Sequence, residues 1–324
     1  MLPTVSVIIP CFNEERRIQS TLEAIFSQTY PLALLDVTLS DGHSTDGTRR
    51  VIADFAAAHP QLRLQVVDND ARSIPAALNR AIAASRGEII LRLDGHSRPY
   101  PDYIEKSVAA LLAGAGENVG GVWEIRPGDE SRLAAAIAVA AAHPLGVGDA
   151  LYRHAKQAAV VDTVPFGVFR RALVEKIGGF DETLLANEDY EFNARIRQSG
   201  GKIWLDPQIR SIYFARATLM ALAQQYWRYG FWKWQMLCRY PATLRWRQAL
   251  PPLFTLSLLI NFLLMAFSPL FGLLLALEVT LYLAVLTAAG IRAGEPLLAL
   301  PVVVMHLSWG GGFLWSLLFG RKRA

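Results

Sequence analysis

Apolar residues in the first third of this chain come in short runs, and each run stops at a polar turn. The runs cover 5–9, 36–40, 62–67 and 89–93. They are brief and rich in branched residues, the pattern of strands buried in a sheet. Pro10 closes the first, and Cys11-Phe12-Asn13-Glu14-Glu15 leads into a helix over 16–28 for which Asn13 is the expected N-cap. The second run ends in Asp41-Gly42-His43-Ser44-Thr45-Asp46-Gly47-Thr48, with a helix to 59, and the third is followed by a helix over 76–85. This β-α-β-α-β-α-β order predicts an α/β fold with right-handed crossovers and a mostly parallel, three-layered sheet. The polar turns then share the carboxyl edge of the strands, where open α/β sheets bind ligands.

The fourth run ends in Asp94-Gly95-His96. Two residues apart, Asp94 and His96 can place an oxygen and a nitrogen on one divalent ion, and that ion can hold a diphosphate. Turn chemistry alone also accounts for an isolated Asp-Gly. Further on, the pattern predicts a helix to 113, a strand from 120, an alanine-rich helix over 133–142 and a strand over 160–164. Glu188-Asp189 opens another helix, where carboxylates suit the dipole. Glu191 and Arg195, one turn apart, read as a surface ion pair.

Beyond residue 218 the pattern changes. Tyr226, Trp227, Tyr229, Phe231, Trp232, Trp234 and Tyr240 interleave with Arg228, Lys233 and Arg239, as in a helix lying in a membrane interface. Apolar segments follow at 253–267, 270–289 and 297–319. The last two reach the roughly 20 residues that span a bilayer, and the first is marginal. Glu278 sits mid-segment and is expected to face another helix, and Gly310-Gly311-Gly312 suggests close helix packing. The tail Arg321-Lys322-Arg323 favours a cytoplasmic end and an even number of crossings. Three segments favour an odd number, so two and three crossings both stand.

Composition narrows the function classes. The hydrophobic fraction of 52% is above the globular norm because of the segments after 250. A net charge of +4 suits anionic lipid or anionic substrates and is no nucleic-acid footprint. Cys11 and Cys238 suggest no disulfide framework, in keeping with a reducing compartment. The chain opens on a strand without a basic leader or long apolar region, so the N-terminal domain is expected in the cytoplasm. Residues 10–14 contain no glycine, which disfavours a dinucleotide-binding dehydrogenase.

Five motifs stand in order: V-S-V-I-I-P-C-F-N-E, S-D-G-H-S-T-D-G-T, R-L-D-G-H, G-G-F-D-E and N-E-D-Y-E. Over about residues 4–230 the chain thereby resembles an inverting family 2 glycosyltransferase of GT-A fold. With A-R-S-I-P-A-A-L-N at 71–79 and H-P-L-G-V-G at 143–148, it is similar to bacterial exopolysaccharide glucosyltransferases of the succinoglycan type. The resemblance implies a nucleotide-sugar site at Pro10, Phe12, Asn13, Glu14, Asp41, Arg72 and Asp94. It implies a divalent metal, Mn²⁺ or Mg²⁺, on Asp94 and His96, where His96 replaces the family's second Asp. It also implies a general base at Asp189 supported by Glu188, and acceptor or diphosphate contacts at Phe166, Gly167, Gln225, Arg228 and Tyr229. For Gln225-Tyr226-Trp227-Arg228-Tyr229, interfacial anchoring is the competing reading.

The expected organisation is a cytoplasmic GT-A domain at 1–215, interface helices at 216–250 and transmembrane helices at 251–320, anchored in the inner (plasma) membrane. The expected reaction moves a hexose such as glucose from a UDP-linked donor to a polyprenyl-diphosphate-linked acceptor. A polyprenyl monophosphate acceptor and a non-catalytic membrane scaffold are the alternatives. The membrane part is small for a processive synthase.

Overall fold

The computed structural model describes residues 1–320. The basic triplet at 321–323, which favours an even number of crossings, lies outside the described residues. In chain order the elements are β1 (Val5–Cys11), α1 (Ile18–Phe26), β2 (Leu35–Asp41), α2 (Thr48–Ala58), β3 (Arg63–Asp68), α3 (Ile74–Ala84), β4 (Ile89–Arg92), β5 (Arg98–Pro99) and α4 (Tyr103–Leu112). Next come β6 (Asn118–Arg126), α5 (Arg132–Ala142), α6 (Pro144–Val147), β7 (Ala159–Val161), β8 (Val168–Arg170), α7 (Arg171–Ile177), α8 (Glu188–Gln198) and β9 (Ile203–Phe214). Four long helices end the chain: α9 (Leu219–Arg239), α10 (Trp246–Leu264), α11 (Pro269–Ala293) and α12 (Ala299–Phe319). Two compact units emerge, Met1–Glu124 with Leu151–Tyr213, and Ile125–Ala150 with the chain from Phe214 onward.

The first unit is built on a mixed sheet of order β3-β2-β1-β4-β8-β6-β9-β5, with β7 beside β9. Its first half is parallel as expected: Val5 lies opposite both Leu35 and Ile89, and Asp36 opposite Arg63. From β4 to β8 the direction reverses, and the second half is antiparallel. Alternate residues feed two cores. Val7, Ile9 and Leu91 face Leu22 of α1 and Val108 of α4, while Ile8 and Ile90 face Leu78 of α3 and Phe192 of α8. This is the period-two consequence of a sheet covered on both sides.

Pro10 does not close β1, which runs on to Cys11 opposite Asp41. The β4 ladder stops with Arg92 opposite Ile8, so at Pro10 the strand has lost that neighbour. The missing N–H therefore removes no bond on that side. Asn13 is not the cap of α1. It sits at φ 55°, and its Oδ1 accepts from the Thr45 N–H at 2.8 Å, bracing one loop against another. The helix starts only after Arg17, without a side-chain cap.

In the second unit three helices are long and apolar enough to cross a membrane: α10, α11 and α12. The first apolar segment, 253–267, is marginal by length, yet the helix begins earlier and runs through Pro251 and Pro252 to reach 19 residues. Glu278 of α11 is bonded by Ser257 and, at 3.1 Å, by Asn261, both of α10, so a carboxylate among apolar helices has its acceptors engaged. Gly312 meets α9 closely, since a Cβ there would lie 2.2 Å from the Trp227 carbonyl oxygen.

Candidate active site

The site is the carboxyl edge of the parallel half, and the backbone there is under strain. Among the described residues the non-glycine positive φ values fall at Asn13, His43, Arg72, Phe166 and Asn187. The first three lie in the turns after β1, β2 and β3, and the others precede β8 and α8. Such conformations cost on the order of 1–3 kcal/mol each and persist where surrounding contacts dictate them.

The centre is Arg92, the last residue of β4 and 3% exposed. Its Nη2 donates to Asp94 at 3.1 Å and to Glu188 at 2.9 Å, and its Nη1 pairs with Asp189. The left-handed turn at Asn187 begins α8, so Glu188 and Asp189 reach the guanidinium from that helix start. One cation thus serves three carboxylates. Burial raises the Asp189 carboxyl; Arg92 opposes this while Glu188 and Asp94 add to it, and the group is pushed up to about 7. Glu188 is the more enclosed of the pair, and the Asp189 side chain is 26% exposed. Of the two, Asp189 is better placed to meet a substrate.

The Asp94-Gly95-His96 turn is held on α1 by the Thr21 hydroxyl, within 3.0 Å of the Gly95 and Ser97 carbonyl oxygens. At Gly95 a Cβ would sit 3.2 Å from the Glu14 side chain, so the turn passes close to that residue. His96 Nδ1 lies 2.9 Å from Glu14 Oε1. A carboxylate only accepts, so Nδ1 carries a proton, and in the neutral ring Nε2 keeps its lone pair. Burial lowers the His96 pKa, but the bond to Glu14 and the charges of Asp94 and Glu14 outweigh it and hold the ring above the usual histidine range. Among the described residues no group of three or more His, Cys, Asp or Glu forms a complete metal ligand set. Asp94 and His96 carry a carboxylate oxygen and an imidazole nitrogen on one turn, donor types that a divalent ion accepts. The Glu14–His96 pair is also the carboxylate–histidine arrangement that orients metal-binding imidazoles.

The remaining expected residues fall into two groups. Phe12 is 52% exposed, free to stack on a base, and Arg72 is exposed beside it near Gly42. Asn13, Glu14 and Asp46 line a cleft of about 370 Å³ with Glu15, Arg16 and Arg17. By contrast Asp41 is fully buried and already accepts from the Ser44 N–H and hydroxyl and from Arg49. It shapes the turn rather than offering open acceptors. Phe166 is buried against Trp123, and the Gly167 carbonyl accepts from the Arg92 N–H at 3.1 Å. Gly167 thereby supports the strand that carries Arg92. Gln225, Arg228 and Tyr229 lie on α9 of the second unit, where the Gln225 amide donates to the Tyr229 hydroxyl at 2.9 Å.

Arg92 was passed over in sequence because it reads as part of an apolar strand. Glu191 and Arg195 are no surface pair. Glu191 is fully buried, and Arg195 also grips the Ile177 carbonyl at 2.6 Å and that of Gly179, locking the Gly178-Gly179 turn onto α8. Asn79 binds the same turn from α3, through the Phe180 N–H at 2.8 Å and the Phe180 carbonyl at 2.9 Å.

The model of Glycosyl transferase family 2 matches residues 6–178, just over half the chain and all of the strand-edge turns described above. The chain belongs to that family. It is 32% identical to the succinoglycan biosynthesis protein ExoA of Rhizobium meliloti, over 98% of this chain and 96% of that one. It is 27% identical to a dolichyl N-acetyl-α-D-glucosaminyl phosphate 3-β-D-2,3-diacetamido-2,3-dideoxy-β-D-glucuronosyltransferase of Methanococcus voltae, over 98% of each. Among solved structures, the mannosyltransferase PcManGT from Pyrobaculum calidifontis, in complex with GDP-Man and Mn²⁺, superposes with a TM-score of 0.65 at 21% identity, covering 98% of this chain and 88% of that one. Staphylococcus aureus TarS 1-349 with UDP-GlcNAc gives 0.53 at 16%, covering 96% and 91%. At these identities the likeness speaks for the GT-A fold alone. As a family 2 member, the chain is a glycosyltransferase with exopolysaccharide and lipid-linked-sugar relatives.

Proposed function

We propose that this glycosyltransferase is metal-dependent and inverting, and that it moves a hexose from a nucleoside-diphosphate donor to a lipid-linked acceptor at the membrane. The observation that carries the reading is one buried guanidinium shared by Asp94, Glu188 and Asp189 at the ligand-binding edge of the sheet. Asp189 takes the proton from the acceptor hydroxyl as that oxygen attacks the anomeric carbon. The bond to the diphosphate oxygen breaks on the opposite face, so the centre inverts and no covalent enzyme intermediate forms. Arg92 and Glu188 hold Asp189 in place. Asp94 and His96 would hold the divalent ion, which when bound stabilises the negative charge of the leaving diphosphate. Phe12, Asn13, Glu14 and Arg72 are assigned to the nucleotide, with Asp41 shaping its pocket from behind. Phe166, Gly167, Gln225, Arg228 and Tyr229 are assigned to the acceptor side.

The preferred donor is UDP-linked and the preferred acceptor a polyprenyl-diphosphate oligosaccharide for exopolysaccharide assembly, in keeping with the ExoA relative. The Methanococcus voltae relative, named for a dolichyl-linked glucosaminyl phosphate, favours a lipid monophosphate as the second reading. The catalytic domain is assigned to the cytoplasmic face of the inner membrane. The test is calorimetric binding of UDP and of GDP to the full chain in detergent, with and without Mn²⁺, for wild type and Asp94→Ala. Metal-dependent binding weakened at least tenfold in the variant is expected. No binding of either nucleotide under any metal condition overturns the reading. Binding without transfer to any lipid-linked acceptor favours the scaffold.

A further inference from the structure

Asn193 follows Asp189 by four residues, and so lies one turn further on the same face of α8. It is 1% exposed, in the interior of the first unit, and its side-chain amide is engaged at both ends. Nδ2 donates to the Thr163 hydroxyl at 2.9 Å and to the Val164 carbonyl at 3.3 Å, while Oδ1 accepts from the Asn118 amide of β6 at 2.7 Å. A backbone carbonyl only accepts, so Val164 fixes which way the Asn193 amide points. The Asn193 oxygen in turn fixes the Asn118 amide with its nitrogen toward α8. Asn118 Oδ1 is left beside Gly167, a buried atom with no hydrogen-bond partner among the described residues.

Two buried amides with one orphaned acceptor cost stability that a pair of apolar side chains would not. What they supply is register. Asn118 lies so close to Gly167 that a Cβ there would sit 2.2 Å from Oδ1. The Gly167 carbonyl accepts from the Arg92 N–H at 3.1 Å, and the Arg92 guanidinium pairs with Asp189. These contacts close a ring: Asp189, Arg92, Gly167, Asn118, Asn193 and, one helical turn back, Asp189 again. One arc carries the charges and the other the two amides.

The two arcs do different work. A long guanidinium side chain can follow a carboxylate that moves, whereas two short amides cannot. A slide of α8 by the rise of one residue, about 1.5 Å, breaks the bonds of Asn193 to Asn118 and Val164 even where the ion pair survives. We infer, on the reading that Asp189 is the base, that Asn193 and Asn118 are positioning residues for it. They hold α8 at the height where Asp189 meets Arg92, and Gly167 is small so that Asn118 can pass beneath the strand that carries Arg92. Both amides act through Asp189 and touch no reacting atom. The same bonds reach Thr163 and Val164, so the base is registered to the loop that leads into Phe166 and Gly167 as well as to β4.

The experiment is a double-substitution cycle on the full chain in detergent. Asn193→Leu, which fills nearly the same space without the amide, is measured alone and together with Asp189→Asn. Turnover is read as nucleoside diphosphate released from UDP- and GDP-hexoses, with Mn²⁺ and a total bacterial lipid extract as acceptor. Asn193→Leu alone is expected to lower kcat by roughly ten- to a hundredfold through misplacement of the base, with UDP affinity by calorimetry held within about twofold. In the Asp189→Asn background it should cost about twofold or less, because the group it positions is gone. The same loss in both backgrounds, wild-type turnover of Asn193→Leu, or a matching loss of UDP affinity overturns the inference and leaves the base in place. Wild-type turnover of Asp189→Asn, or a wild-type chain inert toward all of these donors, removes the base reading and the inference with it. Should Asn193→Leu not fold, Gly167→Ala displaces the Asn118 amide from the other side. Its cost should likewise vanish with Asp189→Asn, and an equal cost in both backgrounds overturns the inference.

Discussion

The carboxyl ends of β2 and β4 flank that of β1, and each brings an acidic group against an arginine. Their electrostatics differ. The Asp41 carboxylate is covered by the Ser44 N–H at 3.1 Å, the Ser44 hydroxyl and Arg49, so both of its oxygens have donors. After β4, Arg92 is divided among Asp94, Glu188 and Asp189. A carboxylate whose two oxygens both have their own donors is held in place. A carboxylate that must share its cation keeps unspent affinity for a proton or a metal, which is what a general base and a diphosphate site require.

Exchanging the proposed base is the strongest way to break this contrast. Asp189→Asn keeps the shape and removes the carboxylate to which that role is assigned, and turnover is expected to fall by roughly 10²–10⁴. Nucleoside-diphosphate affinity should stay within a few-fold, and thermal stability should not drop, because one repulsive charge has left the cluster. Steady-state kinetics and calorimetry on the same preparation check this; an Asp189→Asn protein with near wild-type turnover would remove the assignment.

The same exchange at Asp41 should act on the fold instead. Asp41→Asn leaves Arg49 with Asp68 alone and turns acceptor lone pairs toward mismatched donors. A loss of roughly 1–3 kcal/mol in stability is expected, as for a buried hydrogen bond to a charged partner. Turnover per folded molecule should change less than in Asp189→Asn. Denaturant melts read the first quantity and active-site titration the second. A stable Asp41→Asn protein with turnover reduced a hundredfold would mean that Asp41 meets substrate directly.

The parallel half was legible because each buried run ends at a polar turn, so runs, turns and the binding edge can all be read in one dimension. The cation that organises the centre was not. Arg92 sits in Ile-Ile-Leu-Arg-Leu, and the apolar period hid it. The available signal was the burial itself, since an arginine inside a strand covered on both faces demands partners. Glu191 and Arg195 misled for the converse reason: helical spacing shows that two charges meet but not whether the face is wet. The long strand β9 is interrupted in sequence by Asp206-Pro207, and the antiparallel half that it organises went unread. In the helical unit the glycine triplet pointed to close packing. That Gly311 and Gly312 meet α9 while Gly310 meets α10 depends on contacts far apart in sequence.

The smallest expected effect separates the two turns by titration. The Asp189 carboxyl is raised to about 7 by burial, with Glu188 and Asp94 adding and Arg92 opposing. An ordinary aspartate titrates near 3.9. Between about pH 4 and about 7 the folded state therefore holds a proton that the unfolded chain has lost. For this group, stability falls as pH rises through that window and is lowest above it. Catalysis has the opposite sign, because a base must be ionised: kcat/KM should rise with pH, about tenfold per unit, and level off near 7. Asp189→Asn should flatten this part of the stability slope, which melting curves across the window would read. Saturating Mn²⁺ should move the acid limb of the rate profile to lower pH, since a nearby dication favours the ionised carboxylate. A limb that stays in place with metal would detach Asp189 from the ion that Asp94 and His96 are proposed to hold, and would return the cluster to the structural class of Asp41.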